Sequence, residues 1–307
     1  MVPMTWPETF RKPLVAFFPT IVNRGVSLNR QRKAGMLVRD LILYLYRHDV
    51  HSFEEMTNSH VIGFIASLIG FKPLTVADKV SGLRGLFRFL FLEGFVRVPL
   101  AEALPRVQNV SRTTIPTVWK PDELQKVKES IDLGNPTGKR NYAIIMLAAT
   151  TGLRSGDIVD LKLSDINWEK KEISITQNKT SGPLLLPLMD SAGWALIDYI
   201  KHARPESQHE NVFLRHLSPF EPFKSTSALY TLLTRYVSKA GVAPSGKPKA
   251  GIHSLRHTLA SELLQNNVDI GTIADILGHA SPESTKNYLK VNIAALSQCT
   301  LEVIFDE

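Results

Sequence analysis

Several residues toward the C-terminus have the types and spacing to handle a phosphate ester. Residues 251–260 read G-I-H-S-L-R-H-T-L-A, 277–280 read L-G-H-A, and a tyrosine stands in K-N-Y-L-K at 286–290. His253 and Arg256 are three apart in a segment whose apolar residues Ile252, Leu255, Leu259 and Leu263 recur at helical spacing. A helix would therefore present both side chains on one face. Tyr288 follows His279 by nine residues. A phenol among imidazoles and guanidinium groups is a nucleophile held beside hydrogen-bond donors and positive charge, a set suited to attack on a phosphate diester.

Each part of that chemistry has a physical requirement. A tyrosine at its ordinary pKa of about 10 is a weak nucleophile at neutral pH, so a base or a positive field must help it lose its proton. Arginine stays charged and offers a fork of donors that matches two phosphate oxygens, which lysine cannot imitate. Lysine can surrender its proton, and a lysine at the tip of a flexible hairpin can carry one to a leaving group. His253 and His257 stand four apart, as in a helical zinc pair, but Ser254 takes the place of the glutamate in H-E-x-x-H and Arg256 would repel a cation. No metal and no cofactor is expected, and no G-x-x-x-x-G-K-[ST] phosphate loop is present.

The elements that must position these residues follow from pattern. Pro3, Pro7, Pro13 and Pro19 argue for irregular structure over 1–26. Ser27 is placed to cap a helix with Met36, Leu37, Leu41, Tyr44 and Leu45 on one face and Arg30, Arg32, Lys33 and Arg39 crowding its first half. Helices are expected over Glu54–Ile69 and Val76–Glu93, the second with Val80, Leu83, Phe87 and Leu90 inward and Lys79, Arg84 and Arg88 outward. Gly94 would stop it.

Prolines and polar residues make 105–118 an extended linker between a domain at 1–104 and a second at 119–307. In the second, helices are expected from Pro121, over Tyr142–Ala149 and over Asp157–Leu163, followed by a turn at Ser164-Asp-Ile-Asn. Glu172–Thr176 and Leu184–Leu188 pair as strands with Lys179 at the tip between them, Pro187 suiting an edge. Further helices are expected near 190–203, 224–240, 252–266, 269–277, 283–290 and 293–300. The fold class is mainly α in two domains, the second with a small antiparallel sheet.

Composition narrows the partners. The net charge is +7 and the pI about 9.4, which favours a polyanion. The excess is uneven: residues 1–110 carry 14 Lys+Arg against 8 Asp+Glu, while 111–307 carry 22 against 21. The first part therefore reads as the general phosphate-gripping module. One cysteine, Cys299, excludes an internal disulfide and a Cys-rich zinc module. The longest apolar run, Val61–Phe71, is too short to span a bilayer. The start of the chain is no secretory signal, so a cytoplasmic protein with no membrane partner is expected.

T-G-L-R-S-G-D-I at 151–158, K-T-S-G at 179–182, H-S-L-R-H-T at 253–258, L-G-H at 277–279 and the tyrosine at 288 resemble, in order and approximate spacing, the motifs of the tyrosine recombinase (phage integrase) family. The resemblance is strong over about 115–290 and weaker over 27–110. It implies a SAM-like helical core-binding bundle followed by a catalytic domain with the DNA breaking-rejoining fold. It implies that Tyr288 attacks the scissile phosphate to form a 3′-phosphotyrosyl link, with Arg154 and Arg256 on the non-bridging oxygens and Lys179 protonating the departing 5′ oxygen. His253 and His279 would complete the pocket, with Asp157 behind it. Lys170 and Lys171 precede the first strand and cannot occupy the tip.

The implied partner is double-stranded DNA carrying paired recombination sites. The implied assembly is a homotetramer on DNA, monomeric or weakly associated without it, its C-terminal helix exchanged between protomers. A relaxing topoisomerase using the same chemistry, and a DNA-binding regulator that has lost it, are the two other readings of these residues.

Overall fold

The computed structural model describes residues 6–26, 28–106, 116–178, 182–246 and 250–278. The chain divides into two compact units, Met1–Thr113 and Thr114–Glu307, each with its own apolar core.

The first unit contains α1 (Glu8–Asn23), α2 (Leu28–Tyr46), α3 (Asn58–Ala66) and α4 (Pro73–Leu92). The helix α1 corrects the expectation of irregular structure, since it runs through Pro13 and Pro19. Packing explains why. Phe10, Leu14 and Phe17 are buried along one face, and the Pro13 ring is buried with them. Burying a large apolar side chain yields about 1.5–3 kcal/mol. Three such side chains offset the roughly 3 kcal/mol that each of the two prolines costs within a helix.

The inward face of α4 is as expected, with Val80, Leu83, Phe87 and Leu90 all buried. Lys79 is a further correction. It does not face outward but pairs with Asp40 on α2 at 3.2 Å and lies over the Phe71 ring, where its apolar stem is covered while the charge is matched. Arg30, Arg32, Lys33 and Arg39 are exposed on α2. The helix expected from Glu54 begins instead at Asn58, where the Thr57 amide donates to His60 Nδ1 at 3.2 Å. Ser27, proposed above as a cap, lies outside the described residues.

The second unit contains α5 (Pro121–Glu129), α6 (Pro136–Thr151), α7 (Ser155–Asp160), β1 (Ile166–Asn167), β2 (Glu172–Thr176), β3 (Pro183–Pro187), α8 (Asp190–His202), α9 (Ser227–Ala240), α10 (Ile252–Gln265) and α11 (Ile270–Ile276). The helix α6 is almost wholly buried and packs against α8 and α10. The sheet is antiparallel in the order β1-β2-β3, with Ile173 opposite both Ile166 and Leu186. Its inner face is Ile166, Ile173, Ile175, Leu184 and Leu186, the alternation expected of a half-buried strand. The strand β1 corrects the reading of 164–167 as a plain turn, and two residues are too few to show a period of two. With prolines at both ends, β3 lies at an edge of the sheet, which suits residues that have no N–H to donate.

Within α6 sits a buried cation with no carboxylate among its hydrogen-bond partners in the described residues. Arg140 donates from Nε and Nη2 to Asn141 Oδ1 and from Nη1 to the Leu214 carbonyl, and its guanidinium lies over the Phe223 ring. The His216 ring stacks on Tyr199 nearby. Burial, and then the Arg140 charge, push the His216 pKa down to about 4. Its unfolded value is about 6.5, so between these limits the unfolded chain binds the extra proton and stability rises with pH. Raising the pH from 4 to 6.5 is therefore expected to stabilise the wild type by about 1–2 kcal/mol through this group, after allowing for its partial exposure. Denaturant melts across that window should show the gain shrinking in His216→Gln.

Candidate active site

The site is assembled from the ends of three helices. The first, α6, stops at Gly152, which adopts φ 63° and caps the helix by donating its N–H to the Ala148 carbonyl. A left-handed residue there turns the chain sharply. Leu153 is then buried and Arg154 stands immediately before α7. Crowding adds a second reason for glycine. A Cβ on Gly152 would lie 2.8 Å from a Leu277 methyl and 3.0 Å from a Leu259 methyl, with the Arg256 stem 3.7 Å away.

The second helix, α10, carries His253, Arg256 and His257. Arg256 is 1% exposed and donates from Nη1 to the Gly152 carbonyl at 2.7 Å and from Nη2 to the Leu277 carbonyl at 2.5 Å. Arg154 donates from Nη2 to the next carbonyl, Gly278, at 2.8 Å. Two arginines 102 positions apart in the chain are thus drawn onto consecutive carbonyls at the end of α11. Carbonyls that close a helix carry partial negative charge, and each hydrogen bond from a charged donor contributes about 1.5–3 kcal/mol. His253 is exposed on the same helix, with its ring 4.6 Å from that of His257 at a steep angle. Among the described residues no group of three His, Cys, Asp or Glu side chains gathers as a metal site.

Behind α10 the chain is fastened by Trp119. Its backbone N–H donates to Thr258 Oγ1 at 3.0 Å and its indole N–H to Ser254 Oγ at 2.7 Å. Each hydroxyl spends its own proton on a carbonyl, Ser254 on Gly251 and Thr258 on Ser254. Ser254 and Thr258 are four apart and share one face of the helix, while Arg256 between them lies on the other. Trp119 therefore fixes the helix from the side opposite the buried arginine. Trp119 and Thr258 stand outside the residues proposed from sequence, and Ser254 figured there only in place of a zinc-motif glutamate; two hydroxyls four apart within an apolar helix were the available signal.

Asp157, one turn into α7, is 4% exposed. Its Oδ1 accepts the backbone N–H of Asn178 at 2.9 Å, where β2 runs into the turn toward β3. Of the residues proposed from sequence, Arg154, Asp157, His253 and Arg256 are thus placed within one small region of the second unit. Lys179, His279 and Tyr288 lie outside the described residues, as do the helices expected over 283–290 and 293–300.

Two glycines with the same backbone angle separate crowding from strain. Gly152 and Gly241 have φ of 63° and 64°, but nothing lies within 4 Å of a Cβ on Gly241. Gly241→Ala is expected to lower stability by about 1–2 kcal/mol through backbone strain alone, and Gly152→Ala by a further 1–3 kcal/mol through overpacking. Equal losses in denaturant titrations would contradict the packing described for Leu277 and Leu259.

Comparison with known proteins places this arrangement. The family model for the phage integrase family matches residues 118–294. The chain is 32% identical over 266 residues to an integrase/recombinase of Sinorhizobium fredii, y4rA, a match covering 86% of this chain and 64% of that protein. It is 28% identical over 293 residues to the tyrosine recombinase XerD of Listeria monocytogenes, covering 88% and 91%. Among solved structures, the XerH site-specific recombinase bound to palindromic difH substrate in a post-cleavage complex is similar with a TM-score of 0.73 at 21% identity, over 90% of this chain and 80% of that one. A lambda integrase tetramer bound to a Holliday junction is similar with a TM-score of 0.67 at 19% identity, over 88% and 77%. The motifs read along the sequence, the seating of Arg154 and Arg256 on one pair of carbonyls, and the match over 118–294 lead to one conclusion: the chain belongs to the phage integrase family, the tyrosine recombinases.

Proposed function

We propose that the protein is a site-specific DNA recombinase that cuts and reseals duplex DNA through a transient 3′-phosphotyrosyl intermediate. The observation that carries this reading is the convergence of Arg154 and Arg256 on the carbonyls of Gly278 and Leu277, directly before His279. Two guanidiniums drawn onto consecutive carbonyls concentrate positive charge where a single phosphate can be held, and charge grows on its non-bridging oxygens as the phosphorus is attacked.

The Tyr288 phenolate forms the new bond to phosphorus and the bond from phosphorus to the 5′ oxygen breaks. The 5′ oxygen leaves with the electron pair and takes a proton from the Lys179 ammonium. One of the two histidines, His253 or His279, receives the phenol proton and the other hydrogen-bonds the phosphate, with Asp157 supporting the pocket from behind. The ester keeps the energy of the broken linkage, so resealing requires no nucleotide. Exposed Arg30, Arg32, Lys33 and Arg39 on α2 grip the DNA backbone. Four copies act on two paired sites, an arrangement supported by family membership. Integration, excision, resolution or transposition of a mobile element is the process such chemistry serves.

A nicked duplex carrying the site is expected to yield a covalent adduct that survives a denaturing gel. Tyr288→Phe should abolish the adduct while DNA binding persists, and an adduct formed by that variant would remove the nucleophile proposed here. Arg256→Lys should slow adduct formation by about 10²–10³-fold, the scale of losing one oxyanion donor. DNA affinity should fall steeply as salt rises, because each phosphate contact releases counterions.

A further inference from the structure

The chain just after β2, one residue before Lys179 in the sequence, is fastened to α7. Asn178, immediately before the lysine, is held twice: its backbone N–H donates to Asp157 Oδ1 at 2.9 Å, and its side-chain Nδ2 donates to Asp160 Oδ2 at 2.7 Å. Its amide nitrogen also lies 3.4 Å from where a Cβ on Gly156 would stand, so the side chain lies along the face of the short helix that Gly156 and Asp160 share. One residue earlier, the Gln177 N–H donates to the Gly182 carbonyl at 3.0 Å and closes the base of the turn.

This is an unusual amount of fastening for the start of a surface turn. Asp160 and Asn178 are both exposed, where a hydrogen bond gains little for stability by itself. Their bond lies one residue from the side chain that must reach the leaving group. The Asp157 carboxylate is buried, and its Oδ2 has no hydrogen-bond partner among the described residues. The next donors along the chain are the Lys179 ammonium and the Thr180 hydroxyl. The same α7 begins right after Arg154. One six-residue helix therefore links the phosphate-holding arginine at its start to the root of the acid-bearing turn at its side and end.

We infer that Asn178 and Asp160 are positioning residues for the leaving-group acid: with Asp157 they fix the root of the turn on α7, so that the Lys179 ammonium is delivered to the 5′ oxygen in register with the phosphate held by Arg154. The assignment rests on the reading of Lys179 as the acid. In the step it serves, the bond from phosphorus to the 5′ oxygen breaks, the oxygen keeps the electron pair, and the lysine proton moves onto it, leaving a neutral amine. A misplaced acid slows this step and leaves DNA binding alone.

The test replaces the departing oxygen by sulfur. A thiol has a pKa of about 8.5, so a thiolate leaves without needing a proton. Full-length wild type, Asn178→Ala, Asp160→Ala, the double variant, Asp160→Asn and Lys179→Ala would be compared on a suicide duplex bearing either a normal or a 5′-bridging phosphorothiolate linkage. Adduct formation would be timed at saturating DNA, alongside binding titrations and thermal melts.

Asn178→Ala and Asp160→Ala are expected to slow cleavage of the normal linkage by about tenfold, less than the 10²–10⁴ of losing general acid catalysis outright. The double variant should be no slower than either single one. Asp160→Asn, which keeps an acceptor oxygen, should stay within about twofold of wild type. On the sulfur linkage all of them should cleave at close to the wild-type rate, with unchanged DNA affinity. Slow cleavage of both linkages by Asn178→Ala, or normal cleavage of both, would overturn the assignment while leaving the acid in place, provided the sulfur linkage restores Lys179→Ala. A Lys179→Ala variant that sulfur does not restore would remove the acid reading and this inference with it, and so would a wild type that forms no adduct.

Discussion

The second unit depends on one electrostatic arrangement, the seating of two buried or half-buried guanidinium groups on the final carbonyls of α11. A charge placed in a protein interior is tolerated only when its donors are satisfied. Arg256, at 1% exposure, meets that condition by bonding Gly152 on one side and Leu277 on the other. The end of α6, the face of α10 and the end of α11 are thereby locked to one another. Gly152 suits this joint as glycine, because its φ is positive and a Cβ there would crowd the Leu277 and Leu259 methyls packed beside the arginine stem. The cost of holding the charges is shared with the fold, so no separate scaffold for the site is needed.

Around that lock the supporting contacts divide by side. Trp119 secures α10 from behind, and Asp157 with Asp160 secures the turn after β2 from the flank of α7. None of these contacts uses a donor from the two arginines. The contacts that brace α10 and the turn after β2 thus come from other side chains than the two arginines, the kind of supporting shell that a preorganised site requires.

How much of this could be read from the sequence depended on the range of the interaction. The inward face of α4, the strand β2 and the span of α10 follow from periodicity within one segment, and the structure has them where the periods put them. The helix α1 was missed because proline rules describe a lone helix, whereas buried Phe10, Leu14 and Phe17 decide the matter through tertiary packing. Motif order pointed to Arg154, Asp157, His253 and Arg256. It could not show that carbonyls of Leu277 and Gly278 hold the arginines, because a backbone acceptor leaves no mark on residue type. The pairing of Asn178 with Asp160 was equally hidden, since neither residue is unusual in a polar turn or at a helix end.

The bond from Trp119 to Ser254 joins positions 135 apart, and that from Arg154 to Gly278 joins positions 124 apart. Synthesis proceeds in one direction, so these partners leave the ribosome long after the first halves of each pair. A nascent chain that has emerged only through α10 has Arg256 and Gly152 but neither Leu277 nor Gly278. Its first unit is already complete at that stage while the lock within the second is not. Any product that ends before residue 277 thus lacks the two carbonyls on which Arg154 and Arg256 are seated, and the order of residues along the polypeptide makes this lock one of the last features of the second unit to form.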